Sequence, residues 1–410
     1  MSAIEQKVNI TKLIDLVKSL PNKKWDWNEL SANRNITLDD IIQNPKLPWI
    51  WEQISYNPNL TLDFVKENLD KKWDWHYLSL SFKIRDIEEN IDWPWNWIEI
   101  SANKNITMRF IKKYKDKLDW DILSANANFN KYKLDNKLPW KIRSLSYNKT
   151  LSYQYVLDNL DEKWDWIELN RNLIIPVKEI ESHPNLPWNY FQLSFNNSIN
   201  MKFILKHIHE NWDWNILGSN RCITLNDIKN NPNLRWDYQF ISRRDDLTLQ
   251  FVLQHINQDW LWSLIQPLIT LEDLEQYPQL TQVRNFYQYL SENPHLTTKY
   301  VYENLNEKWN WEALSFNPSF KVKDIEYGLK HNFRWKWDYL SMNINLTYGF
   351  IYQHQNENWS WGDVSANNFN LEYKKLKAIL KIQNNYIKNK KLKLINEHLI
   401  KDLSKIALEY

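Results

Sequence analysis

The sequence predicts an all-α protein, an α-solenoid of about fifteen two-helix repeats of about 24 residues each. Three observations carry that reading. The motif W-x-W-x-x-L-S-x-N returns every 22 to 26 residues from Trp25 to Trp359. An Asp, Asn or Ser placed to cap a helix follows the first position in ten of the fifteen returns. Glycine, which tight hairpins and phosphate loops need, numbers 4 in 410 residues, against 25 Trp, 21 Tyr and 15 Phe.

The repeats open at Trp25, Trp49, Trp73, Trp95, Leu118, Trp140, Trp164, Trp188, Trp212, Trp236, Trp260, Asn285, Trp309, Trp335 and Trp359. The second aromatic, two residues on, is Trp in 11 repeats, Tyr in three, and replaced by Ile142 in one. These two positions take 24 of the 25 tryptophans, leaving only Trp93 outside. Serine follows the Leu-type residue except at Asn170, Gly218 and Gln266, and Asn comes two residues later except at Ser81, Arg244 and Leu268. Lysine tends to precede odd-numbered repeats and proline even-numbered ones, so the deeper period is two repeats.

Residues 25–45, WDWNELSANRNITLDDIIQNP, show why each repeat should hold two helices. Asp26 is placed as an N-cap with Glu29 three residues on, a capping box, and Trp25 and Leu30 form the hydrophobic staple around it. Asn33 suits the end of that helix, because Asn tolerates the left-handed conformation of a C-terminal cap. Thr37 with Asp40 starts the second helix, and the same grammar recurs at Thr61, Thr107 and Thr347. Helices this short do not stand alone in water, so stacking on neighbours must hold them. The tryptophans read as the shared core, each indole N–H needing a turn carbonyl or a Ser or Asn side chain. A leucine-rich-repeat horseshoe is the alternative of similar period, but its signature demands apolar residues at period 2 before the Asn.

The domain reading is one helical array over 1–371, with 1–24 an incomplete N-terminal repeat, and a Lys-rich helical C-terminal cap over 372–410. Stacked at helix-packing distances, the repeats would follow an extended, curved rod.

Composition and motifs argue against most chemistries. Lys+Arg 52 against Asp+Glu 50 is too even for a protein whose main partner is a polyanion. The single cysteine, Cys222, can form neither an internal disulfide nor a thiolate metal cage and suits a reducing interior. His207 and His209 flank Ile208 at a spacing that places them on different sides of a helix. No Gly-rich phosphate loop, nucleophile elbow or apolar run of membrane length occurs. The reading is therefore no enzyme, no catalytic or metal-ligating residue, no cofactor and no membrane span.

The tandem WDWxxLSxNxNIT units, joined by NPxLPW or NLDxKW, resemble a family of tandem-repeat proteins from giant viruses of amoebae, the mimivirus relatives. The resemblance covers roughly residues 9 to 370. It implies viral origin, a place in the host cytoplasm or the virion, and a helical scaffold with no activity attached to it. The expected function is a non-enzymatic scaffold for protein–protein interaction. Single-stranded RNA binding at one nucleotide per repeat is the first alternative and a structural virion component the second. Residues Arg243, Arg244, Asp245 and Asp246 are the candidate binding site, because they interrupt the Asn turn with charges.

Overall fold

The computed structural model describes residues 10–126, 134, 137–370, 372 and 374. Among them are 29 α-helices of four to nine residues, two short 3-10 helices and no strand. The horseshoe alternative, which needs a strand in each repeat, is thereby set aside. The chain forms two compact units, one built from the described residues up to Asp70 and those from Leu296 onward, the other from Lys71–His295.

Among the described residues thirteen of the fifteen repeats show the expected pair of helices, as in Trp27–Ala32 followed by Leu38–Gln43. Asp26 caps the first, accepting from the N–H groups of Asn28 (2.9 Å) and Glu29 (3.3 Å). Thr37 and Asp40 form the full reciprocal box on the second. The reciprocal half expected of Asp26 and Glu29 is replaced, because the Asp26 N–H donates instead to Ser365 Oγ (3.0 Å).

That replacement is general. The repeat serine accepts the N–H that opens the next repeat, as Ser101 does from Asp119 (2.9 Å) and Ser146 from Asp165 (3.0 Å). Its own hydroxyl donates to the carbonyl four residues back, as in Ser79 to Trp75 (2.6 Å). The serine thus joins the last turn of one helix to the first of its neighbour, and in Ser31, Ser79 and Ser101 it is completely buried.

The repeat asparagine has a different task from the one read in the sequence. Asn33 is extended, with φ −70° and ψ 128°, so it is not a left-handed cap. The side chain is used across the stack: Asn148 Nδ2 donates to the carbonyls of Ser124 (3.1 Å) and Asn126 (3.0 Å) in the preceding repeat, and Oδ1 accepts from Thr150 N–H (3.0 Å). Carbonyls left unpaired at one helix end are therefore satisfied by the next repeat.

The tryptophans close the gap between successive repeats. The first Trp donates its indole N–H to the carbonyl five residues earlier, at the end of the preceding second helix, as in Trp164 to Asn159 (2.7 Å) and Trp212 to His207 (2.8 Å). Trp164, Trp212 and Trp260 are 8, 5 and 4% exposed, which places them in the core. Edge-on pairs such as Trp214 with Trp236 (5.3 Å, 83°) tie one repeat to the next.

In the first unit the first and last of the fifteen repeats meet. Asn33 Nδ2 donates to the carbonyls of Ser365 (2.7 Å) and Asn367 (3.0 Å), and Trp25 packs edge-on against Trp361 at 5.0 Å. This is the ordinary joint between neighbours, made here between the Trp359 and Trp25 repeats. Helix Leu13–Ser19 stands in the position of a second helix. It lies beside Tyr348–Gln353, and Lys12 at its start bonds Asp40 of the Trp25 repeat (3.1 Å). With Trp25 donating its indole N–H to the Leu20 carbonyl (2.9 Å), it takes the place of a second helix between Tyr348–Gln353 and the Trp25 repeat. Burial, with the carboxylates of Glu372, Asp40 and Asp15 nearby, pushes the Tyr348 hydroxyl up where these segments converge. The face of the Trp359 repeat turned away from the Trp335 repeat is covered by the Trp25 repeat. The expected cap over 372–410 lies outside the described residues, apart from 372 and 374.

Two stability measurements follow. Trp164→Ala should lose about 3–5 kcal/mol in urea unfolding, the cost of deleting a large buried aromatic. Asn33→Ala, which cuts the joint between the first and last repeats, should cost as much as Asn57→Ala, which cuts an ordinary one, about 1–3 kcal/mol each. An Asn33 variant that unfolds like the parent would show that the terminal joint is open in solution.

Candidate functional site

Within Lys71–His295 the first helix of each repeat turns its Leu and Ser inward, as Leu123 and Ser124 do. With the first Trp as position 1, positions 4, 5 and 8 are left toward solvent or partly covered. Over all fifteen repeats these positions hold no lysine, only three arginines (Arg143, Arg171, Arg243) and nine carboxylates. Lysines sit instead on second helices such as Met108–Lys113 and Met201–Lys206, and on the connectors.

What replaces lysine is apolar. Ile98, Ile167 and Phe191 at position 4 are 52, 54 and 41% exposed, and Leu264 at position 5 is 46% exposed. Position 8 carries Tyr147, Arg171, Phe195, Ser219 and Arg243 in successive repeats. The Arg171 guanidinium lies 4.5 Å from the Phe195 ring centre, so side chains of neighbouring repeats touch along this row. Arg243 lies over Phe240 at 4.8 Å. Polar neighbours are tied across repeats, as in Ser144 Oγ to Asp121 (2.7 Å).

The four candidate residues fall together at one edge of this face. Arg243, Arg244, Asp245 and Asp246, with Ser219 and Arg221, line a depression of about 530 Å³. Their roles differ. Arg244 is buried, and its Nη1 donates to the carbonyls of Gly218 (3.2 Å) and Asn220 (3.0 Å), the two acceptors that a repeat Asn would take. Its Nε and Nη2 reach the two Asp246 oxygens at 2.8 Å each, a bidentate pair. The motif departures Gly218 and Arg244 thus meet in one joint. Two of the four charges are required by the structure: Arg244 is the ladder residue and Asp246 its counter-ion. Asp245 pairs with Arg221 at the surface, leaving Arg243 as the member of the four that belongs to the outward face.

Among the described residues no group of three His, Cys, Asp or Glu side chains is placed to hold a metal ion. His207 is half-buried against Phe203 (4.5 Å) and Tyr190 (5.5 Å), whereas His209 is exposed, so the two diverge. The face itself was missed in reading the sequence, although the absence of lysine from three fixed repeat positions was there to be found. Compared with protein-family models, with characterised proteins and with solved structures, the chain matches none of them.

The Arg244 joint can be tested by stability. Arg244→Ala should lose about 2–4 kcal/mol, since it strands two carbonyls and a carboxylate, while Arg244→Asn restores the ladder and should stay within about 1 kcal/mol of the parent. The Arg244 hydrogen bonds hold the Asp246 carboxyl below the usual carboxylate range. A depressed folded pKa stabilises the protein above the unfolded value, about 3.9, and that contribution fades as pH falls through the folded value. The stability gap between parent and Asp246→Asn should therefore be constant from about pH 7 to 5 and close below about pH 4; a gap that widens in acid would contradict this assignment.

Proposed function

We propose that the protein is a non-enzymatic repeat scaffold that binds another protein along the first-helix face of Lys71–His295. The observation that supports this reading is the exclusion of lysine from that face together with exposed Ile98, Ile167, Phe191 and Leu264. Interface cores between proteins are apolar, poor in Lys and rich in aromatic and Arg side chains, and Arg171 over Phe195 is of that type. A nucleic-acid groove would call for a regular cationic stripe, and here carboxylates outnumber arginines at the same positions. Arg243 belongs to the proposed surface, and Arg244 supports it from within. The resemblance of the WDWxxLSxNxNIT units to giant-virus repeat proteins supports a setting in an infected host cell, in its cytoplasm or in the virion. Among the described residues no helix is long and apolar enough to cross a membrane.

The test is capture from infected cells with the full chain as bait, nuclease-treated, beside an Ile167→Glu/Phe191→Glu variant. A discrete protein should be recovered by the parent and reduced at least about tenfold by the variant at an unchanged melting temperature, as loss of two central apolar anchors predicts. Recovery that disappears with nuclease would instead favour RNA binding.

A further inference from the structure

In the first unit the same face has a different chemistry. The first helices there run side by side in the order Trp311–Phe316, Trp337–Leu340, Trp361–Ala366, Trp27–Ala32 and Trp51–Ile54, joined by the repeat ladder and, in the middle, by the joint between the Trp359 and Trp25 repeats. Their outward positions 4 and 5 carry Glu312, Asp338, Asp363, Glu29 and Glu52, one in each helix, with no lysine or arginine at positions 4, 5 or 8. None of the five carboxylates pairs with a cation among the described residues. Glu312 is engaged by the Tyr339 hydroxyl of the next repeat, whose pKa that carboxylate pushes up. By register, Lys336 and Arg34 sit at the ends of these helices, and Arg34 is bonded to Asn368 and Asn370. Alongside, at position 8, Phe316, Met342 and Tyr56 are 36, 41 and 40% exposed. The surface sets carboxylates beside apolar side chains, and it is complementary to a basic amphipathic segment.

Such a segment leaves the described fold from this very unit. Residues 375–410 hold nine lysines against Glu397, Asp402 and Glu409, with Leu376, Ile379, Leu380, Leu392, Ile395 and Leu399 at helical spacing. The place of a second helix between Tyr348–Gln353 and the Trp25 repeat is filled by Leu13–Ser19. We propose that the lysine-rich segment 375–410 docks back on the acidic first-helix face of its own first unit, its lysines over these carboxylates and its apolar residues over Phe316, Met342 and Tyr56.

Zero-length carbodiimide crosslinking of the full chain, with peptide mapping, reads the contact directly. Links from lysines of 375–410 to Glu29, Glu52, Glu312, Asp338 or Asp363 are expected; their absence, or links mainly to other carboxylates, overturns the proposal. Crosslinking a mixture of isotope-labelled and unlabelled chains separates the sources, and mixed-label links would overturn it in favour of a second copy. In Glu29→Gln/Glu312→Gln/Asp338→Gln, tryptic cleavage within 375–410 should rise about tenfold at low salt, toward the rate the parent shows at about 0.5 M salt, where such attraction is screened. An unchanged rate overturns docking. Should the variant fail to fold, the salt dependence of cleavage in the parent decides, because a free segment is cut at a rate that does not rise with salt.

Discussion

The ends of the helices, more than their middles, hold this fold together. A six-residue helix such as Trp27–Ala32 leaves most of its N–H and C=O groups without intrahelical partners, and in a buried stack each unpaired group would cost free energy. The repeat serine and asparagine meet that constraint from opposite sides. Serine accepts the N–H that opens the following helix, while asparagine donates to carbonyls that close the preceding one. Both are buried and both reach into a neighbouring repeat, so a helix pair is fully satisfied only in company. The tryptophans add apolar area and seal the connectors through their indole N–H groups, but the ladder sets the spacing they fill.

This dependence on neighbours gives the first and last repeats their importance. A repeat array ordinarily needs polar-backed caps where stacking stops. In the first unit the Trp359 repeat is followed by the Trp25 repeat through the same serine and asparagine bonds, and Leu13–Ser19 takes the place of a second helix between Tyr348–Gln353 and the Trp25 repeat. Residues on both sides of that joint use the contacts of an interior repeat.

With the ladder consuming positions 6, 7 and 9, the repeat leaves positions 4, 5 and 8 open to variation, and the two units use them differently. In Lys71–His295 they gather Ile, Phe, Tyr and Arg; in the first unit they gather Glu and Asp beside Phe316 and Met342. Arg244 shows that charge alone does not locate function on such a surface. It stands at a position reserved for the ladder, and its partners are two backbone carbonyls and Asp246.

Much of the fold was legible in the residues themselves, because its signals are local. The W-x-W-x-x-L-S-x-N period, the Thr37–Asp40 capping box and the Asp26 cap lie within a few residues of one another, and they determine two short helices per repeat with Trp in the core. The task of Asn33 was not legible, since its partners Ser365 and Asn367 stand more than 330 residues away and a left-handed cap explained the same letter. The meeting of the first and last repeats, the burial of Arg244 and the charge contrast between the outward faces likewise depend on which helices become neighbours. A cap or a staple is chosen by the chain within one turn, whereas a hydrogen bond between repeats exists only after stacking has brought the partners together, and that is settled by the tertiary structure.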